Sequence, residues 1–180
     1  MKKLLAAGSI VLALSTTLFA TEGHWYVGGE YGTGSGERTY DGTVSVDFDS
    51  ELYTAKVGYQ KDNFDKVEFQ YTSKTLENSN NSSDADDVTE YKVNFVISIL
   101  KLSYKEMVIP YWEAAIGYGD SDNYGGQLAT HIGAGIMVNP VEQVEINVGY
   151  RYSINAGSTD YDVSYSDQHG DFIIGAAYKF

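Results

Sequence analysis

The chain has 180 residues, enough for one domain, with 19 Gly, 16 Tyr, 2 Pro and no Cys. Its formal net charge of −13 argues against nucleic-acid binding, which needs clustered Lys and Arg to neutralise phosphates. The composition excludes a disulfide scaffold, a collagen-like repeat and a low-complexity chain, and a mean hydropathy of −0.28 is too low for a helical membrane bundle.

In chain order, the first feature is an address. Met1-Lys2-Lys3 precedes an apolar run from Leu4 to Leu14, and Ala20 offers a small residue for cleavage. That layout predicts a signal peptide over 1–20 and a mature domain over 21–180. The apolar run is too short for a membrane-spanning helix of about 20 residues. Removing it takes away two lysines and leaves a net charge of −15. An exported chain without Cys must be held together by means other than disulfides.

From His24 onward apolar residues recur at every second position, the period of a strand with two unlike faces. Eight strands are predicted, and one face of each is apolar. They are His24–Gly32 (Trp25, Val27, Gly29, Tyr31), Glu51–Gln60 (Tyr53, Ala55, Val57, Tyr59), Lys66–Thr75 (Val67, Phe69, Tyr71) and Val88–Leu100 (Tyr91, Val93, Phe95, Ile97, Ile99). Then come Ile109–Gly119 (Trp112, Ala114, Ile116, Tyr118), Gln127–Val138 (Leu128, Ile132, Ala134, Ile136), Glu142–Ser153 (Val144, Ile146, Val148, Tyr150, Tyr152) and Gln168–Phe180 (Phe172, Ile174, Ala176, Tyr178, Phe180). Both prolines fall at strand margins, Pro110 and Pro140, where a sheet tolerates them.

Short connections (Lys61–Asp65, Lys101–Val108, Asn139–Val141) alternate with mostly longer ones (Thr33–Ser50, Leu76–Asp87, Asp120–Gly126, Ile154–Asp167). A soluble β-sandwich has strands at similar spacing. An even strand number, strands of about ten residues and one-sided long loops instead match a membrane barrel. The apolar face is also banded. Trp25, Tyr59, Trp112, Tyr178 and Phe180 lie towards the short turns, and Tyr31, Tyr53, Tyr91, Tyr118, Tyr150, Tyr152 and Phe172 towards the long loops. Two aromatic belts flanking an aliphatic band suit a barrel wall in lipid. The predicted fold is an all-β, eight-stranded antiparallel up-and-down transmembrane β-barrel.

The chain ends on Phe180, with Tyr178, Ala176, Ile174 and Phe172 at the same spacing before it. This resembles the C-terminal strand signal of bacterial outer-membrane proteins. With the signal peptide and eight amphipathic strands, it resembles the small OmpA and OmpX class, and more closely the opacity-type outer-membrane barrel family. The resemblance is architectural and spans residues 21–180. It implies residence in the outer membrane of a Gram-negative cell, both termini in the periplasm and four loops outside. It also implies outer-membrane lipid, lipopolysaccharide and the assembly machinery as partners, a monomer and no cofactor. No peptidoglycan-binding domain is expected after Phe180.

The opposite face carries Glu30, Lys56, Glu68, Lys74, Glu90, Lys92, Glu113, Glu145, Arg151, Asp171 and Lys179, joined by Gln70, Asn94, His131 and Asn147. An eight-stranded barrel is just wide enough for its side chains to fill. Buried charges need partners. A salt-bridged, plugged lumen follows, with Arg151 expected between Asp171 and Glu30; a narrow porin-like pore is the alternative. The longer connections are acidic throughout, so an adhesin-like surface role through acidic loops is expected. Asp84-Ala85-Asp86-Asp87 offers oxygen ligands but lacks the spacing of a calcium loop, so no metal is assigned. The rival from another class is a lipid A-modifying hydrolase, for which His169 with Ser164, Ser166 and Asp167 is the best triad candidate. Gly32-Thr33-Gly34-Ser35-Gly36 reads as a flexible loop. No catalytic residue is assigned.

Overall fold

Alternation along the chain becomes the inside and outside of a wall. The computed structural model describes residues 23–79, 81–100, 107–158 and 164–180, so the predicted signal peptide lies outside the described residues. Eight strands follow one another: β1 Gly23–Tyr40, β2 Val44–Lys61, β3 Lys66–Asn78, β4 Asn81–Ser98, β5 Val108–Ser121, β6 Gly125–Val141, β7 Val144–Ser158 and β8 Ser164–Lys179. Each pairs antiparallel with its chain neighbour, and β1 pairs with β8 to close the barrel. The Phe180 amide donates to the Trp25 carbonyl at 2.9 Å, which extends that seam to the last residue. Closure leaves no edge strand open to another chain.

The wall is inverted relative to a water-soluble barrel. Ile132, Phe172 and Ile174 point outward at 63%, 69% and 54% exposure, while Gln70, Glu90 and Asp171 point inward at 0%. Aromatic pairs ring the outside at two levels: Trp25 with Tyr59 at one, and Tyr31 with Tyr53, Tyr71 with Tyr91 and Tyr150 with Phe172 at the other. Such a surface is stable only where the surrounding solvent is apolar.

The strands run further than the alternation of apolar residues suggests. β1, β2 and β4 each have 18 residues, against the roughly 9–11 that a tilted strand needs to cross a bilayer. The expected loop Thr33–Ser50 is therefore mostly strand, closed by a turn at Asp41-Gly42-Thr43. Asp41 and Gly42 both have positive φ, 45° and 69°, as a tight hairpin requires. The Gly32–Gly36 stretch is strand too. Its three glycines face inward by the alternation of the strand, and β8 passes so close that a Cβ on Gly34 or Gly36 would run into the backbone of Gly170 or Gln168. Most of Leu76–Asp87 likewise belongs to β3 and β4, and β6 runs through Pro140 with a register shift before Val141.

This extension corrects the picture of acidic loops. Glu37, Asp47, Asp49, Glu51, Glu77, Asp87 and Asp120 stand on the outer face of the raised wall, while Asp86 and Asp167 point into the barrel.

Candidate functional site: the charged lumen

The inward positions hold eight buried acids and seven buried bases among the described residues. Lys61, at the short-turn end, is the one described Lys or Arg that is not buried. All eleven residues singled out from the sequence are in the buried set, together with Arg38, Lys66, Asp86 and Asp167, which were not.

From the short-turn end upward, Lys66 and Lys179 both pair with Glu145, the latter at 3.7 Å. Above them Lys56 lies 2.6 Å from Glu30 and 3.7 Å from Glu68. Glu68 also accepts from Tyr26 Oη at 2.5 Å, Gln70 at 2.8 Å and Asn94 at 3.0 Å. Arg151 donates from Nε to Glu113 at 2.9 Å and from Nη2 to Glu30 at 3.0 Å. Higher still, Glu90 collects Lys74 at 2.9 Å, Lys92 at 2.5 Å and Asn155 at 2.9 Å.

The expected Arg151–Asp171 pair is not formed. The two residues are register partners on β7 and β8, but Arg151 turns the other way. Gly133 explains this, because it lies between Glu113 and Arg151 in one row across β5, β6 and β7. With no side chain on the middle strand, the guanidinium reaches across to Glu113. A Cβ at 133 would sit 2.8 Å from Glu113 Oε1.

The same device recurs. Gly34 lies between Ser50 and Asp171, and the Ser50 hydroxyl donates to Asp171 over it. Gly175 separates Glu30 from Asn147, which are 3.2 Å apart. Gly58 separates Tyr26 from Glu68. Gly36 separates Phe48 from His169, whose rings are 5.8 Å apart. Inward glycines thus let polar side chains two strands apart meet across a narrow bore.

Apolar clusters stand at both ends of this network. Val96, Ile109, Tyr111 and Met137, with Phe64 against them, lie at the short-turn end, and Phe48, Leu76 and Val88 lie at the other. The gap bordered by Glu30, Lys56, Glu68 and Glu145 is about 10 Å³, room for about one water.

Beyond the outer aromatic level a second polar knot spans the mouth, beside a gap of about 80 Å³ lined by Arg38, Phe48, Asp86 and Tyr124. Arg38 clamps Asp167 with Nε at 2.6 Å and Nη2 at 2.7 Å, and reaches Asp86 with Nη1 at 2.9 Å. Its guanidinium lies 4.2 Å from the ring centre of Tyr124 and 5.1 Å from that of Tyr165. Burial works to lower the Arg38 pKa, but the hydrogen bonds and charges of Asp167 and Asp86 outweigh it and hold the group above its ordinary value. Asp86 also accepts from Ser121 at 2.7 Å, so the acidic cluster that suggested oxygen ligands has its central carboxylate turned inward and paired.

The triad candidate comes apart in the fold. Ser164 and Ser166 face outward, while Asp167 and His169 face inward. His169 Nε2 lies 2.9 Å from Lys74 Nζ and 3.4 Å from Asp171, and Ser50 donates to the acid instead of to the imidazole. A general base for a nucleophilic Ser needs the reverse order of contacts.

The assembled picture is a charged lumen filled by its own side chains inside a lipid-compatible wall, and its fold has counterparts among solved structures. Neisserial surface protein A from Neisseria matches 88% of this chain and 100% of its own, at 15% identity and a TM-score of 0.58. Ail, the attachment invasion locus protein of Yersinia pestis, matches the same shares at 20% identity and a TM-score of 0.51. The chain has the fold of the small eight-stranded outer-membrane barrels. No family model matches it, and no curated protein does. The likeness covers 88% of the chain and, at 15% and 20% identity, is one of fold.

Proposed function

We propose that this chain is a non-enzymatic outer-membrane barrel that does not conduct and that meets the exterior through an acidic collar. The observation that carries this reading is the segregation of charge. Every described Lys and Arg except Lys61 is buried in the lumen, while the outer wall above the aromatic level carries unpaired-sign acids: Glu37, Asp47, Asp49, Glu51, Glu77, Asp87 and Asp120. Bases packed against acids inside neutralise the bore. Acids left outside give a surface whose field attracts cationic partners at long range. Residence in the outer membrane, with the collar facing outward, is supported by the inverted wall and its two aromatic levels. In the same reading the outward row Phe172, Ile174, Ala176, Tyr178 and Phe180 is the assembly signal. An adhesin-like role is the finer form of the proposal, with positively charged exterior surfaces as its partners.

Two measurements test it. Refolded barrel in a planar bilayer should give no steady single-channel current; regular openings would overturn the plugged lumen. Barrel in phosphatidylcholine nanodiscs should bind a basic probe protein, lysozyme, in a salt-sensitive way. Replacing Asp47, Asp49 and Glu51 by Asn, Asn and Gln should weaken that binding; unchanged binding would remove the collar from the function.

A further inference from the structure

A groove crosses the outer apolar face over β8, β1 and β2. Its floor is Ala176, Gly29 and Ala55, three small outward residues that the pairing sets in one row, with Gly29 opposite Ala176 on one side and Ala55 on the other. Tyr31, Tyr53, Tyr71 and Ile174 wall it. It is a shallow groove of about 660 Å³, open along its outer side rather than an enclosed cavity.

Gly29 is not there for the backbone. Its φ lies outside the left-handed region, and a Cβ on it would meet just the Thr54 carbonyl oxygen, at an ordinary 3.4 Å. Its neighbour Gly28 differs, since a Cβ there would collide with the Ala176 carbonyl and the Ala177 side chain. Glycine inside a strand costs about 0.5–1 kcal/mol relative to alanine. At position 29 the fold receives nothing in return except open space.

The rim above the groove has one sign of charge. Tyr53 Oη donates to Glu51 at 2.7 Å, so that carboxylate is fixed one outward position above the wall of the groove. Glu37, Asp47, Asp49 and Glu77 face outward further up on β1, β2 and β3, and no described Lys or Arg faces outward there. An apolar slot below a fixed carboxylate and an acidic wall complements a molecule with an alkyl tail and a cationic head. We infer that this groove binds an amphiphile of that chemistry, with the tail lying over Gly29, Ala55 and Ala176 and an ammonium head at Glu51. A second copy of the chain fits poorly. Two convex walls touch along a line, and a symmetric contact would set one acidic collar against the other.

The inference rests on the chain being embedded in lipid, so the experiment first reads that separately. Isotope-labelled barrel is placed in phosphatidylcholine nanodiscs, and a heat-sensitive electrophoretic shift shows the folded barrel. Absence of that shift overturns the membrane reading, and this one with it. Dodecylammonium is then titrated while backbone amide shifts are followed, with dodecyl sulfate and dodecanol as comparisons. The expected result is saturable shifts confined to residues around Gly29, Ala55 and Ala176, strongest for the ammonium. Glu51→Gln should weaken the ammonium by about two- to fivefold, the scale of one exposed ion pair, and leave dodecanol unchanged. Gly29→Leu fills the slot from the lipid side and should abolish saturation for both while the barrel still folds. Equal binding of dodecyl sulfate, or saturation that survives Gly29→Leu, overturns the inference. So does a dimer of the unmodified barrel that Gly29→Leu disperses, which would make the groove an interface between copies.

Discussion

Arg151 is the largest fully buried side chain among the described residues, and its two partners come from β1 and β5, on either side of its own strand. Removing it leaves Glu30 and Glu113 facing a shared space, with Lys56 still shared between Glu30 and Glu68. Loss of one partner from a buried pair costs about 3–5 kcal/mol, less where water enters. Arg151→Met should lower the urea midpoint in lipid vesicles accordingly. A double-mutant cycle should show coupling of Arg151 to Glu113 and little to Asp171; the opposite ranking would contradict the geometry. Glycine supplies a second test at this scale. Gly58→Ala places a methyl 2.6 Å from Tyr26 Oη, between the phenol and Glu68. Overpacking of this kind costs about 1–3 kcal/mol. The same exchange at Gly29, where the space is open, should instead raise the midpoint slightly, by the about 0.5–1 kcal/mol that glycine costs in a strand, and both midpoints can be read in one denaturation series.

At the scale of elements, the raised ends of β1, β4 and β8 are tied by Arg38 to Asp86 and Asp167, and the β5–β6 turn is drawn in through Tyr124, whose hydroxyl accepts from Tyr40 at 2.8 Å. A bidentate Arg–carboxylate pair fixes direction as well as distance. This knot stands above the aromatic level, away from the central network around Arg151. Arg38→Ala should therefore loosen the mouth without unfolding the barrel. Hydrogen exchange should speed up at the turn Asp122–Tyr124 and at the upper ends of β1 and β8, while protection around Gln70 and Asn94 stays. A global drop in protection would mean that the mouth and the bore unfold as one unit. The knot was hard to read in the sequence. The inward set Glu30, Gly32, Gly34, Gly36, Arg38 keeps its parity, but three glycines erase the hydrophobic contrast on which a strand assignment rests. Asp41-Gly42 was the available signal, since that dipeptide closes a tight hairpin and so makes strand of what precedes and follows it.

At the scale of the whole molecule, the wall should sit in a membrane with Trp25 and Trp112 at the short-turn interface, where they are 46% and 44% exposed on the outer face. Lipids carrying a quencher near the head groups should quench both more than lipids quenched at the chain ends. The reverse order would put the aromatic level at the wrong depth.

Within the predicted strands, sequence alone determined which residues face in and which face out, because a strand's side chains alternate with period two and a shift of one residue would turn every inward charge towards lipid. It also determined the strand number and the need for paired charges inside, since a bore filled by its own side chains leaves little water to stabilise lone ones. Tertiary structure alone decided which charges meet. Side chains on one strand are neighbours in sequence, but Arg151 finds Glu113 across Gly133, and Ser50 finds Asp171 across Gly34. Those encounters depend on register between strands far apart in the chain, and on which middle positions lack a side chain, and neither can be read along a single strand. The heights of the strand ends were decided in the same way. Polar residues look like loop in sequence, yet they continue the ladder wherever the neighbouring strand offers its hydrogen bonds.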